Sequence, residues 1–238
     1  MSAGFPMSAE LKAIAFDLDD TLIRWRKPQR DAVKRALAAY PAPVDPAIFA
    51  VTLEETWSRL SDDLNTGRMT LEEHTEGVAT AFGTALHLSR PAAHDLYQRY
   101  VGALRELVEV YEDVEAIRLL EGRYLLGVAM NGPGAVQREK LRLAGLTELL
   151  DFVVCSAEVR IAKPDPAFYD HVQQAARARA DEILVVGNNV ALDLAPAVTR
   201  GMHAVWVVRE DNGPQAVPWS GPRVRTLHDL ESLLRPQS

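Results

Sequence analysis

Phe16-Asp17-Leu18-Asp19-Asp20-Thr21-Leu22 decides how this chain is read. It continues an apolar run, Lys12-Ala13-Ile14-Ala15-Phe16, that acids stop abruptly. Such a run predicts a buried strand. The segment therefore sets several carboxylates, and a threonine, at the C-terminal end of the first strand. Ligands of open α/β sheets bind at that end.

Downstream, residues 24–107 contain no convincing strand. Pro28 predicts a helix opening that runs towards Tyr40. Pro41-Ala42-Pro43-Val44-Asp45-Pro46 breaks it. A second helix is expected over residues 47–64. Thr70-Leu71-Glu72-Glu73 has capping-box form and opens a third. A fourth follows Ser89 and runs to about residue 108. The rest alternates. Asp113 is expected to cap a helix to Glu121. Strands are expected at 124–129, 152–155, 183–186 and 204–208. Helices are expected at 135–143, 166–179, 192–200 and 227–234, with a Pro- and Gly-rich surface loop over 210–225. Apolar, β-branched runs alternating with helices predict a parallel sheet covered on both faces. The fold class is α/β: an open parallel sheet with an all-helical segment inserted after its first strand.

The other strand ends carry Met130-Asn131-Gly132-Pro133-Gly134, Lys163-Pro164-Asp165-Pro166, and Gly187-Asn188-Asn189 with Asp193 shortly after. Acids and one lysine thus converge on one rim. Clustered carboxylates repel one another and raise their own pKa values. Mg²⁺, which prefers oxygen ligands, would stabilise such a cluster and attract phosphate.

This order of motifs resembles the haloacid dehalogenase-like superfamily over almost the whole chain. Asp17-Leu18-Asp19-Asp20-Thr21 matches its Asp-x-Asp-x-Thr motif, and Lys163 with its flanking prolines matches its lysine motif. The resemblance implies a Rossmann-like core, residues 1–22 and 109–238, with a type-I helical cap, residues 23–108. It implies that Asp17 is a nucleophile forming an aspartyl-phosphate and Asp19 the general acid/base. Lys163 would neutralise Asp17 and the phosphoryl group. Thr21 would orient the nucleophile loop, and Asn131 and Gly132 would bind substrate through their backbone N–H groups. Mg²⁺ would be held by Asp17, Asp19 through its backbone carbonyl, Asn188 and Asp193. Two positions depart from the family pattern: Met130 stands where Ser or Thr is usual, and Asn188 where Asp is usual. The first loses a hydrogen bond to a charged group, about 1.5–3 kcal/mol. The second removes a negative charge from the cation site.

The expected activity is therefore Mg²⁺-dependent hydrolysis of a small phosphate monoester. A catalytically weakened or inactive binding relative is the alternative that Met130 and Asn188 support. Carbon–halogen hydrolysis ranks below both, because such enzymes lack the second acid of the motif and Asp19 is present. A phospho-accepting receiver module would be shorter and would lack the helical insert.

Composition narrows the partners. The chain has 238 residues, 47% of them hydrophobic, and a formal net charge of −7. That sign disfavours nucleic acid and anionic membranes, leaving a small phosphorylated metabolite as the expected partner. No uncharged apolar run approaches the roughly 20 residues needed to span a bilayer, and residues 1–10 lack the pattern of a secretory signal. The single cysteine, Cys155, reads as a small hydrophobe ending a strand, which fits a reducing, cytoplasmic setting. Nothing in the sequence sets an oligomeric state. Arg24, Trp25 and Arg26 read as helix-flanking surface residues. Trp57 and Tyr97 read as core of the helical insert. The histidines, His74, His87, His94 and His171 among them, show no metal-ligand spacing and read as surface or edge residues.

Overall fold

In the computed structural model, which describes residues 10–209 and 218–234, the decisive apolar run forms strand β1 (Ala13–Phe16). A two-residue strand, β2 (Ile23–Arg24), follows the acidic segment. Four helices come next: α1 (Arg26–Ala38), α2 (Pro46–Asn65), α3 (Leu71–Ala85) and α4 (Arg90–Glu106). At α2, the Asp45 side chain accepts the Ala47 N–H at 2.8 Å. Pro46 takes a first-turn position, where its missing N–H costs nothing. At α3 the expected capping box forms. Glu73 N–H donates to Thr70 Oγ1 at 3.1 Å and Thr70 N–H to Glu73 Oε2 at 2.8 Å. The chain returns through β3 (Glu109–Val110), which pairs antiparallel with β2.

The alternating part supplies β4 (Leu125–Met130), α5 (Gly134–Leu143), β5 (Phe152–Cys155), α6 (Ser156–Val159) and α7 (Phe168–Ala176). It continues with β6 (Ile183–Gly187), α8 (Ala195–Thr199), β7 (His203–Val207), β8 (Arg223–Val224) and α9 (Leu227–Leu233). The described strands make a six-stranded parallel sheet in the order β5-β4-β1-β6-β7-β8. The path runs from β1 outward to β5, then returns to the other side of β1. That reversal puts the end of β1 at the crevice where α/β sheets bind ligands.

Side-chain size explains the layers. Ile14 and Phe16 of β1 join Leu126, Val128 and Met130 of β4 in one buried cluster. The other face of β1 carries only Ala13 and Ala15, which leaves room for Phe168 and Tyr169 of α7. Gly127 of β4 serves the same end, since a Cβ there would lie 2.3 Å from the Phe152 ring. The helices α1 to α4 have a separate cluster of their own, with Phe49, Phe82, Leu96, Tyr97 and Tyr100 at its centre. Phe49 and Phe82 pack with ring centroids 4.6 Å apart.

Several expectations are corrected. Asp113 precedes a 3₁₀ turn, Val114–Leu120, but does not cap it. Its carboxylate instead accepts from Arg209 Nη1 at 2.7 Å and from Leu227 N–H at 2.8 Å. The helix expected over 192–200 divides into a π-helical turn, Val190–Leu194, and α8. The Asn189 side chain caps the turn, and Pro196, without an N–H, interrupts the ladder. Helix α7 is shorter than expected because Arg177 takes the left-handed conformation, φ 50°, and ends it. β8 lies inside the expected loop; residues 210–217 of that loop, like residues 1–9, are outside the described residues. Among the aromatic residues, Tyr97 is buried as expected, whereas Trp57 is 46% exposed. His74, expected at the surface, is only 1% exposed. Cys155 is fully buried at the end of β5. Among the described residues, no helix is long and apolar enough to cross a membrane.

Candidate active site

Asp17 extends the β1 ladder by one residue, its N–H donating to Val186 O at 2.8 Å. The chain then folds back on itself. Leu18 O accepts from Thr21, Leu22 and Ile23 N–H, and Asp20 adopts φ 58°. Aspartate tolerates this left-handed conformation better than most residues. The buried Asp20 carboxylate accepts the N–H of Trp25 at 2.8 Å and of Arg26 at 3.2 Å. Burial pushes its pKa up, against the pull of those two N–H groups. Asp20 thus shapes the loop, its carboxylate committed to Trp25 and Arg26.

The Asp17 carboxylate is held at both oxygens. Lys163 Nζ donates to Oδ1 at 2.7 Å and Thr21 Oγ1 donates to Oδ2 at 2.9 Å. Lys163 Nζ also donates to Asp193 Oδ1 at 2.7 Å and to Ala129 O at 2.9 Å, so all three ammonium hydrogens are used. Burial works against the Lys163 charge, but Asp17 and Asp193 outweigh it and hold the ammonium well above its ordinary pKa. Burial, and then the Asp17 carboxylate, push Asp193 above the usual carboxylate range, despite Lys163. The second Asp193 oxygen accepts Asn189 N–H at 3.1 Å, and Tyr169 OH donates to the Asp193 carbonyl at 2.7 Å.

Asn188 is buried beside this cluster, its Oδ1 3.4 Å from Thr21 Oγ1. Trp206 Nε1 donates to the Asn188 carbonyl at 3.0 Å. Asp17, Thr21, Lys163, Asn188 and Asp193 therefore form one connected group, as expected from the strand ends. Asp19 stands at its edge, 31% exposed at the side chain.

The Gly132 N–H, expected to bind substrate, is taken by Ser156, and the Asn131 side chain has partners of its own. The Asn131 side chain makes two hydrogen bonds with the Lys163 backbone, one donated and one accepted, each 2.9 Å. It fixes the loop that carries Lys163, which has a cis Lys163–Pro164 peptide bond. Gly132 N–H donates to Ser156 Oγ at 2.9 Å, and Ser156 Oγ in turn donates to Asn65 O at the end of α2, at 2.5 Å. Gly67, just beyond, takes φ 65° within reach of Ala157, where a Cβ would lie 2.5 Å from the Ala157 carbonyl. This is where the helical layer meets the sheet. Met130 is 1% exposed, within the apolar cluster of Phe16 and Val128.

Three residues to which the sequence assigned no role support the site. Lys140 of α5 donates to both Asp19 carboxylate oxygens, at 2.9 and 2.7 Å. Arg209, buried after β7, donates to the Thr21 carbonyl at 2.7 Å from Nη2. Its guanidinium lies 4.0 Å from the centre of the Tyr111 ring. Trp25, read as a surface residue, lies with its ring under Lys140 Nζ, 3.5 Å from centroid to nitrogen. Lys140 left a trace in the sequence. It shares a helix face with Gln137 and Leu141, where a lysine is unusual unless paired.

The donors near one another that could serve a metal are oxygens: the Asp17 and Asp193 carboxylates, the Asp19 carbonyl and the Asn188 side-chain carbonyl. Among the described residues no three His, Cys, Asp or Glu side chains gather in a metal-binding group. The donor chemistry suits a hard cation such as Mg²⁺, which binds through few protein oxygens and keeps several waters.

A family model described as haloacid dehalogenase-like hydrolase matches residues 11–198. The pyrimidine 5'-nucleotidase YjjG of Escherichia coli is 28% identical over 144 residues, 58% of this chain and 63% of that protein. The match therefore spans less than two thirds of that relative. The glyceraldehyde 3-phosphate phosphatase of Methanothermobacter thermautotrophicus is 29% identical over 227 residues, 94% of this chain and 98% of that protein. Among solved structures, a 2-haloacid dehalogenase from Pseudomonas syringae has a TM-score of 0.69 at 24% identity, covering 94% of this chain and 98% of that one.

Proposed function

This chain belongs to the haloacid dehalogenase-like hydrolase family, and we propose that it hydrolyses a small phosphate monoester with Asp17 as nucleophile. One observation carries the reading: the Asp17 carboxylate is held between Lys163 and Thr21, with a second carboxylate, Asp19, two residues on. An Asp17 oxygen forms a bond to phosphorus as the bond to the ester oxygen breaks. Asp19 gives that oxygen its proton, and the alcohol leaves. Asp19 then takes a proton from water, whose oxygen attacks the phosphorus. The acyl phosphate bond breaks, releasing inorganic phosphate and restoring Asp17. Lys163 keeps one oxygen of Asp17 fixed and offsets the negative charge gathered at the site.

Asp17, the Asp19 carbonyl, Asn188 and Asp193 would hold Mg²⁺, with Asp193 also bound to Lys163. When bound, the cation would offset charge on the phosphoryl oxygens. The helical layer, α1 to α4, serves in this reading as a cap that selects the substrate, a small phosphorylated metabolite rather than nucleic acid or a membrane component. A weaker enzyme than the family norm is the second reading. It draws on Met130 and Asn188, which supply neither a phosphate-binding hydroxyl nor a second metal-binding carboxylate.

The test is hydrolysis of a phosphomonoester panel, with Mg²⁺ and with EDTA, for the wild type and Asp17→Asn. Turnover that needs Mg²⁺ and disappears in Asp17→Asn supports the proposal. Halide release from 2-chloropropionate with no phosphatase activity would replace it by dehalogenation. No turnover above the Asp17→Asn background on any substrate would end it.

A further inference from the structure

Lys140 occupies an unusual place. It lies on the buried face of α5 and is 8% exposed, a rare setting for a lysine. A buried ammonium persists only when it is paired with good geometry. Here its partner is the Asp19 carboxylate, gripped at both oxygens, 2.9 and 2.7 Å away. The Trp25 indole covers another side of the same nitrogen, at cation–π distance. The Trp25 backbone is anchored, because Asp20 Oδ1 accepts its main-chain N–H at 2.8 Å. Asp19, Asp20, Trp25 and Lys140 thus form one chain of contacts from the nucleophile loop to α5 and back to the first residue before α1.

A bidentate grip fixes the torsions of a side chain as short as aspartate. An ungripped Asp19 at the rim, about a third exposed, would sample several rotamers. With two hydrogens of Lys140 directed at Asp19 and the indole over the nitrogen, Lys140 is poorly placed to bind a phosphate directly.

We propose that Lys140 is a positioning residue for Asp19, and that Trp25 holds Lys140 in that role. The kinetic part of this inference rests on the phosphatase reading above; the structural part rests on the contacts alone. Because Trp25 immediately precedes α1, the aim of Asp19 is tied to the seating of the helical layer.

Two measurements test it. Lys140 and Lys163 are the buried lysines among the described residues, so the wild type should show two slowly exchanging ammonium signals in ¹⁵N-detected NMR. Lys140→Met assigns one. Asp19→Asn should abolish or broaden that signal and spare the other. A Lys140 signal absent in the wild type, or unchanged in Asp19→Asn, overturns the proposal whether or not the protein is a phosphatase.

The kinetic arm compares leaving groups. A general acid is worth roughly 10²–10⁴-fold when the leaving oxygen needs a proton. Asp19 also acts on water in the second step, which both substrates share, so the comparison is made on kcat/KM, which reports the first step. Lys140→Met should lower kcat/KM on an alkyl phosphate by about 10²-fold, on the lower part of that scale. On 4-nitrophenyl phosphate, whose leaving group departs without a proton, the loss in kcat/KM should be only a few-fold. Lys140→Arg, which keeps the charge and the stacking, should recover part of the alkyl phosphate kcat/KM. Equal losses of kcat/KM on both substrates would make Lys140 a structural or phosphate-binding residue and refute positioning. If the wild type hydrolyses no phosphate ester, the phosphatase reading fails, and the NMR result alone decides whether Lys140 fixes Asp19.

Discussion

Replacing Lys163 by methionine removes the one cation between two buried carboxylates. The Asp17 and Asp193 oxygens each lie 2.7 Å from Nζ, and the three side chains are 13%, 3% and 4% exposed for Asp17, Asp193 and Lys163. Those oxygens are therefore within about 5 Å of each other; at an effective dielectric constant of about 20, two such charges repel by about 3 kcal/mol. Breaking a buried pair by removing one partner costs about 3–5 kcal/mol, in agreement with that figure. A domain of ordinary stability, about 5–15 kcal/mol, would lose a large part of it.

The assay is urea unfolding of Lys163→Met in EDTA, followed by circular dichroism, beside Asp193→Asn and the double variant. The double variant carries a single buried carboxylate at this place. It should be more stable than Lys163→Met by about 1–3 kcal/mol, a coupling typical of residues in one network. Activity should vanish in every variant that lacks Lys163. A Lys163→Met protein within about 1 kcal/mol of the wild type, or strict additivity in the cycle, would refute the inferred repulsion between Asp17 and Asp193.

Other expectations follow from the same contacts. Met130→Thr should lower KM for phosphate esters if its hydroxyl reaches the phosphate, but it should also cost about 2–4 kcal/mol, measured by urea unfolding, because it empties a packed apolar site. Asn188→Asp should lower the melting temperature in EDTA and raise it in Mg²⁺, as a third carboxylate repels its neighbours until a cation arrives; an equal shift in both buffers would count against Asn188 at the metal. His74 is buried, its two ring nitrogens lack a hydrogen-bond partner among the described residues, and burial lowers its pKa. The unfolded chain then binds the proton more readily, so His74 subtracts stability as pH falls through about 6.5, the ordinary value, and below. His74→Phe should flatten the decline in urea midpoint between pH 7.5 and pH 5, and a decline of unchanged steepness would assign it to other groups.

The parts of the fold that were legible in the sequence are those with a local cause. β1 was legible because an apolar run met acids at once, and the Thr70–Glu73 box because its two bonds join residues three apart. The strand-end residues Asp17, Lys163 and Asp193 could be grouped because a parallel sheet brings its carboxyl ends to one rim. What escaped depends on distant partners. Asp113 sits at a cap position, but Arg209 and Leu227 claim its carboxylate from 96 and 114 residues away. Lys140 pairs with Asp19 across 121 residues, and no local pattern announces that. Gly132 was assigned to substrate from its place after β4, whereas its N–H is committed to Ser156, 24 residues away. His74 looked like a surface residue because nothing in its spacing marked a partner; here Trp57 and Tyr97 pack against it.

The charges at the site also bear on what Asn188 does. In formal charge, two carboxylates, Asp17 and Asp193, face one ammonium, Lys163, and Lys140 separately pairs with Asp19. Without a cation the inner group is therefore short by one positive charge. An aspartate at 188 would make it short by two, in a place too buried for water to screen. Asparagine keeps an oxygen directed into the group, near Thr21, and spares that second deficit. In the proposed Mg²⁺ site, asparagine here would trade affinity for the cation against stability of the metal-free protein. It leaves the contacts of Asp17 with Lys163 and Thr21 as they are. Under the proposed Mg²⁺ reading, Asn188 would tune the cation concentration at which the site works rather than dismantle the nucleophile, and the Mg²⁺ dependence of Asn188→Asp separates the two. A lower half-saturating Mg²⁺ concentration with a similar limiting rate marks tuning, whereas a limiting rate that rises from near zero marks a site that asparagine had disabled.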